Sequence, residues 1–323
     1  MPAGTSSEFD LIDRYFKRPA PSALLGVGDD AAIVSPSPGM QLLMSTDMLV
    51  AGTHFFDDTD PEALGWKTLA VNVSDIAAMG ATPRWALLAM ALPVADEAWI
   101  AAFARGFFDC ARTFGVELIG GDTTRGPMNF CVTLFGEAAA GTALMRSGAN
   151  IGDDIWVSGN PGWAALGLAH LQGRCVLEGA QQTECLLALH KPQPRVALGL
   201  ALQGLATAAI DVSDGFLADL GHILDASGVS ANIHVDCLPL PETGAKLSAD
   251  LVRDSMLAGG DDYELAFTVP PGYRDRVEEL SRQLRLALTR VGSVVSRGSE
   301  TIRLVGADGR PVTVKRFGYD HFR

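Results

Sequence analysis

One phrase recurs six times along this chain: an apolar run, then one or two small or polar residues, then aspartate. The copies are Leu24-Leu25-Gly26-Val27-Gly28-Asp29-Asp30, Leu42-Leu43-Met44-Ser45-Thr46-Asp47 and Leu69-Ala70-Val71-Asn72-Val73-Ser74-Asp75. Further on come Leu118-Ile119-Gly120-Gly121-Asp122, Ile210-Asp211-Val212-Ser213-Asp214-Gly215 and Met256-Leu257-Ala258-Gly259-Gly260-Asp261-Asp262. Each apolar run reads as a buried strand or the tail of a core helix, and each aspartate as the point where that element surfaces. A fold that gathers these ends builds a pocket walled by carboxylates. Such a pocket holds divalent cations, because bare like charges at close range repel and lift one another's pKa. Taken singly, these are ordinary turn and cap pairs; Asp75 and Asp214 read equally well as caps of the turns that follow them. Taken together they are harder to explain as turns, since Asn, Ser and Gly serve turns as well as Asp does.

Between the phrases, helical and strand-like patterns interleave, which gives an α/β or α+β class. Helices are expected over Glu8–Phe16, Pro61–Ala78 (with an interruption near Asn72–Asp75), Asp96–Phe114, Trp163–Leu171, Arg195–Leu205, Phe216–Ser227 and Arg274–Leu284. Strands are expected over Ala31–Val34, Gln41–Met44, Trp85–Leu92, Val116–Ile119, Phe130–Ala138, Ile155–Val157, Ala231–Val235, Leu265–Val269 and Leu288–Val294. A polar, turn-rich stretch over 141–153 separates two domains, residues 1–141 and 142–323, an ordinary division for 323 residues.

Formal charge is 25 − 38 = −13, and no run of Lys or Arg stands out. That argues against nucleic-acid binding by phosphate neutralisation. An acidic protein binds phosphates through metal ions instead. The five cysteines are odd in number, widely spaced and without C-x-x-C, which argues against a disulfide scaffold or zinc site and fits the cytoplasm. The N-terminus carries no basic region followed by an apolar stretch, and no run reaches the roughly 18 apolar residues that span a bilayer. The phosphate-loop, protein-kinase, dinucleotide, zinc-protease and serine-hydrolase motifs are all missing.

The phrases and their flanks resemble the thiamine-monophosphate kinases. The matching segments are 26–32, 45–55, 70–81, 118–126, 146–149, 210–215, 259–265 and the ending Gly318-Tyr319-Asp320-His321-Phe322, in matching order from about Glu8. The resemblance implies a two-domain fold like that of aminoimidazole ribonucleotide synthetase. An N-terminal α/β domain would bind ATP and Mg²⁺ and join its sheet to that of a second copy in a homodimer; a C-terminal α+β domain would complete the active site. It implies direct in-line transfer from ATP to thiamine monophosphate, the last step in making thiamine diphosphate, with several Mg²⁺ and no phosphoenzyme. Asp30, Asp47, Asp75, Asp122, Asp211 and Asp214 would hold metal, assisted by oxygens of Ser45 and Thr46. Gly121, Asp122, Arg146 and Ser213 would contact ATP, with Phe114 against adenine. His54, Asp261 and Tyr319 would face thiamine monophosphate. Where the family has Glu, this chain has Asp261, which retracts the carboxylate by one methylene.

The residues fit that chemistry on their own terms. Phosphoryl transfer depends on positioning and charge neutralisation. Clustered Mg²⁺ on Asp30, Asp75 and Asp122 would offset the repulsion of two polyanions, and Arg146 offers a planar fork to the transferring group, its alternative being a domain-boundary ion pair. A selenophosphate synthetase would carry a reactive Cys near its start and a hydrogenase-maturation relative one at its end; here the first Cys is Cys110 and the ending is His321-Phe322-Arg323. An acidic cation-binding protein without ATP dependence is the non-enzymatic alternative.

Overall fold

The computed structural model describes residues 7–239, 247–314 and 316–322; Met1 to Thr5, the basis of the leader expectation, lie outside them. The chain divides into two compact units, 1–76 with 81–141, and 77–80 with 142–323.

Unit 1 begins with α1 (Glu8–Leu11), which continues as a π-helical turn, Ile12–Phe16. A four-stranded sheet follows, in the order β1 (Met40–Val50), β4 (Asn129–Ala139), β2 (Thr82–Leu92), β3 (Glu117–Arg125), so β1 and β3 are its two edges. Only β2 and β3 run parallel. Two helices belong with it, α2 (Pro61–Ala78) and α3 (Glu97–Phe114). The Asp96 carboxylate caps α3 by accepting from Ala98 N at 2.9 Å and Trp99 N at 3.2 Å, and Gly115 ends it in the left-handed region. The two helices touch backbone to backbone. A Cβ on Gly65 would stand 2.0 Å from the Phe103 carbonyl oxygen, and one on Gly106 would stand 1.7 Å from that of Glu62. Trp99, Phe103 and Phe130 stack beneath, with Phe103 and Phe130 centroids 4.6 Å apart.

Unit 2 holds a six-stranded sheet in the order β10 (Ile302–Val305), β7 (Ser230–His234), β9 (Leu288–Val295), β5 (Asp154–Ser158), β8 (Glu264–Val269), β6 (Ala208–Val212). Its helices are α4 (Trp163–Leu171), α5 (Gly179–His190), α6 (Val196–Ala201), α7 (Phe216–Ser227), α8 (Ala249–Ala258) and α9 (Arg274–Leu284). One apolar cluster packs α7 and α8 on the sheet through Phe216, Leu220, Ile223 and Met256; a second gathers Trp156, Leu198, Phe267 and Val277.

Several expectations meet their limits here. Helix α2 runs through Asn72–Asp75 without interruption. Ala31–Val34 forms no strand, only an isolated bridge from Ile33 to Leu25. Helix α6 covers less of Arg195–Leu205 than its apolar pattern suggests, because the segment leaves the helix at Leu202 to enter β6.

Asp154 is buried on β5 and grips two arginines, Arg274 at 2.5 and 2.8 Å and Arg290 at 3.2 Å. Burial works against its charge, but the two guanidiniums win and hold the carboxyl below the usual range. A depressed folded pKa gives stability that is present above the unfolded value and is lost as pH falls through the folded one. Asp154→Asn is therefore expected to cost about 1–2 kcal/mol near neutral pH, a modest figure because both arginines are half exposed, and to cost less at about pH 3. Urea unfolding at both pH values checks the difference; an equal cost at the two would exclude the charge as its origin.

Candidate active site

Unit 1 places its predicted residues on the two opposite edges of its sheet. At the β1 edge, the Ser45 hydroxyl donates to the Asp75 carboxylate. Asn72 Oδ1 accepts from the Asp47 backbone N–H at 3.0 Å, fixing that strand to α2 along its free side. Asp75 lies in the last turn of α2, at the negative end of the helix dipole, where a carboxylate is disfavoured unless it meets a cation. Strand alternation puts Ser45 and Asp47 on one face and Thr46 on the other, where the Thr46 and Thr133 hydroxyls meet at 2.5 Å. Beyond the strand, Gly52 turns the chain and His54 Nδ1 accepts from Val50 N at 3.0 Å, which leaves the proton of a neutral imidazole on Nε2.

At the β3 edge sit Gly121 and Asp122, level with Leu88 and Ala89 of β2. Gly121 has φ 152°, and a Cβ there would meet the Leu88 carbonyl oxygen at 1.8 Å. The segment that leads to Asp29 and Asp30 starts from this side at Ser22, which donates to Glu117 of β3 at 2.6 Å and accepts from Trp85 Nε1 of β2 at 2.8 Å. Asp30 itself is exposed, its N–H on Asp29 Oδ1 at 2.9 Å. Phe114, at the end of α3, stands edge-on to Trp66 with centroids 6.1 Å apart.

In unit 2 three distant segments converge. Asp211 is buried in β6, which ends in the loop Ser213-Asp214-Gly215. Asp261 N donates to Ser213 O at 2.8 Å, Tyr263 N to Val212 O at 2.8 Å, and Tyr319 N to Asp214 O at 2.9 Å. Asp261 and Tyr263 both adopt positive φ, 70° and 52°, and the Tyr263 hydroxyl reaches Asp261 Oδ1 at 3.2 Å. Aspartate tolerates the left-handed region better than glutamate, which suits Asp261 to its place. The segment bearing Arg146 lies along the free side of β6, through Ala209 N to Met145 O at 3.0 Å. Arg146 is exposed, and among the described residues its guanidinium forms no ion pair, so the boundary salt bridge is not found.

The supporting groups escaped the sequence reading. Asp219 of α7 accepts from Ser213 N, Asp214 N and Gly215 N at 3.0–3.1 Å, so one carboxylate oxygen shapes the whole loop. Burial first, then the charge on Asp214, raise its carboxyl to about 7, against those three donors. Asp262 is buried and caps α4 from outside its sequence, through Gly162 N at 2.6 Å and Ala164 N at 3.3 Å; burial pushes its carboxyl well up. Glu264 takes Arg195 Nε at 2.6 Å and Ser158 Oγ at 2.5 Å. The i, i+5 spacing of Asp214 and Asp219 across a glycine was the one available signal; the others depend on tertiary contacts.

The donors are oxygens throughout, with no thiolate among them. Among the described residues no three His, Cys, Asp or Glu side chains converge on one point. That set fits Mg²⁺, which keeps waters and shares its remaining ligands with substrate phosphates, and not an all-protein cage.

Comparison with known proteins bears on the family and the fold. Residues 28–138 match the family model "AIR synthase related protein, N-terminal domain", and 150–305 its C-terminal domain. The chain is 44% identical to the thiamine-monophosphate kinase of Escherichia coli K12 over 98% of both chains. It superposes on the crystal structure of thiamine-monophosphate kinase from Stenotrophomonas maltophilia with TM-score 0.85 and 45% identity, covering 95% of this chain and 98% of that one. With AaThiL complexed with AMPPCP and TMP the TM-score is 0.76 at 30% identity, over 98% and 97% of the two chains.

Proposed function

We infer, from the fact that this chain belongs to the thiamine-monophosphate kinases within the AIR synthase related family, that it transfers the terminal phosphoryl group of ATP to thiamine monophosphate. The products are ADP and thiamine diphosphate. The observation that carries the mechanism is the junction in unit 2. Ser213 and Asp214, assigned to ATP and metal, are hydrogen-bonded through their backbone to Asp261 and Tyr319, assigned to the acceptor. Donor and acceptor groups held that close support direct in-line transfer, since a phosphoenzyme would need no such adjacency.

Asp30, Asp47, Asp75, Asp122, Asp211 and Asp214 would hold Mg²⁺, with Ser45 orienting Asp75; Thr46, on the outer face, is left to contribute through its backbone. The metal, when bound, would neutralise phosphate charge on donor and acceptor. Gly121 lets phosphate approach its backbone, and Arg146, without an ion pair among the described residues, offers a bidentate fork to the transferring group. Phe114 would sit against adenine, His54 Nε2–H would face an acceptor oxygen, and the Asp261 carboxylate would face the thiazolium cation. No general base is required: the acceptor phosphate has its second pKa near 6 and is anionic at neutral pH.

A homodimer in the cytoplasm completes the reading. The outer face of β1 exposes Met44 and Met48, 67% and 52% accessible, in register with Phe135 and Cys131 of β4. An apolar sheet face of that kind is suited to a second copy of itself. All five cysteines are free, as a reducing compartment requires. Among the described residues no helix is long and apolar enough to cross a membrane.

Incubation with ATP, Mg²⁺ and thiamine monophosphate is expected to yield thiamine diphosphate by chromatography, with thiamine itself inert. Asp261→Ala should raise KM for thiamine monophosphate about tenfold or more and leave KM for ATP nearly unchanged, while Asp261→Glu stays within a few-fold of the parent. Folded protein that makes no thiamine diphosphate would refute the function; a shift in the ATP constant alone would move Asp261 to the donor side.

A further inference from the structure

The sequence contains no basic run, yet the fold of unit 1 assembles one. Arg14 and Arg18, four residues apart around the π-helical turn, face Arg105 and Arg112 of α3 across a cavity of about 420 Å³. On α3, residues 101, 104, 105, 108 and 112 share one face by helical spacing. Ala101, Ala104, Phe108 and Tyr15 give the cavity its apolar and aromatic lining, and the four arginines line it together with one carboxylate, Asp109. None of these residues belongs to the aspartate site.

The four arginines carry more donors than their carboxylate partners use. Arg14 pairs with Glu97 at 2.5 Å, Arg105 with Glu62 at 3.3 Å, and Arg112 with Asp109. Among the described residues Arg18 has no carboxylate partner: its guanidinium carbon lies 4.9 Å from the Phe108 ring centroid and one NH donates to Lys17 O at 2.9 Å. Three of the four guanidiniums are paired and Arg18 is the surplus one, on a chain of net −13. The three ion pairs are largely exposed, so each is worth about 0–1 kcal/mol and is readily exchanged for a bidentate contact to phosphate. A stacked Arg and Phe beside an apolar lining also accept a flat aromatic body. The volume lies within the range that ordinary small ligands fill, about 300–1,000 Å³.

We propose that this cavity is a second, metal-independent binding site for a phosphorylated aromatic heterocycle, either a nucleotide or a thiamine phosphate. Its arginines do directly what the aspartate site does only through Mg²⁺. The proposal does not rest on the assignment of the catalytic site, and EDTA separates the two, because without divalent cations the carboxylates repel phosphates.

Calorimetry on the full chain in EDTA, with ADP, thiamine diphosphate and inorganic pyrophosphate as separate titrants, tests it. At least one of the two aromatic ligands is expected to bind with a stoichiometry near one, about tenfold or more tighter than pyrophosphate, and to weaken with added salt. Which one binds identifies the source. The double variant Arg18→Ala/Arg112→Ala should weaken that binding about tenfold or more, Arg18→Lys/Arg112→Lys less so, with kcat at saturating ATP, Mg²⁺ and thiamine monophosphate unchanged. Three flat titrations in EDTA, an undiminished affinity in a folded double variant, or pyrophosphate binding as tightly as either aromatic ligand would each overturn the proposal.

Discussion

Asp30→Asn and Asp122→Asn are expected to lower kcat about a hundred- to a thousandfold, equivalent to roughly 3–4 kcal/mol in the barrier. The effect is electrostatic. Transfer brings a phosphate monoester against a triphosphate, and bound cations are what this acidic chain has to offset that repulsion. An amide keeps the size and one oxygen of the carboxylate but loses the charge that holds the cation. The fold should not notice. Asp30 is exposed, beside the like-charged Asp29, and Asp122 lies on an edge strand with its carboxylate outside the core, so unfolding free energy should move by no more than about 0.5 kcal/mol. Both variants should also need more Mg²⁺ for half-maximal rate. Rates within a few-fold of the parent, at unchanged Mg²⁺ dependence, would return both residues to the role of turn formers.

What the sequence revealed, and what it withheld, follows from range. Asp96 caps α3 and Gly115 ends it through contacts within a few residues, so both ends were legible. The aspartate phrases were legible as a set, but not where each would sit. Asp47 and Asp122 lie inside strands that continue three residues past them, and they stay accessible only because β1 and β3 are edges, which is a property of the assembled sheet. Of the pair Asp261-Asp262, one lines the loop and the other is buried as the cap of α4, more than ninety residues away in sequence. The difference arises from alternating backbone conformation, with Asp261 and Tyr263 at positive φ. Thr46 faces away from Ser45 for a simpler reason, the two-residue period of a strand. The arginine cavity was invisible because its parts lie about ninety residues apart and each is surrounded by acidic neighbours.

A mixture of the Asp47→Asn and Asp122→Asn proteins is expected to recover activity that neither has alone. In one copy these aspartates stand on opposite edges of a four-stranded sheet, three strand spacings or about 14 Å apart, with Asp47 level with Gly121 and Asp122 one residue further along. They are too far apart to ligate one Mg²⁺, whose bonds are about 2.1 Å long. Asp122 lies on the β3 edge, where Ser22 upstream of Asp30 is also anchored, and Ser45 and Asp75 meet at the β1 edge, so each copy carries two half-cradles. If two copies join through the apolar outer faces of their sheets so that the β1 edge of one meets the β3 edge of the other, each complete cradle draws on both. A mixed dimer then has one cradle carrying both substitutions and one carrying neither. Random reassortment puts half the protein into mixed dimers, each with one sound site in two, so activity should return to about a quarter of the parent's under twofold symmetry. Cradles closed within a single copy would retain one substitution in every site, and the mixture would stay as inactive as its components.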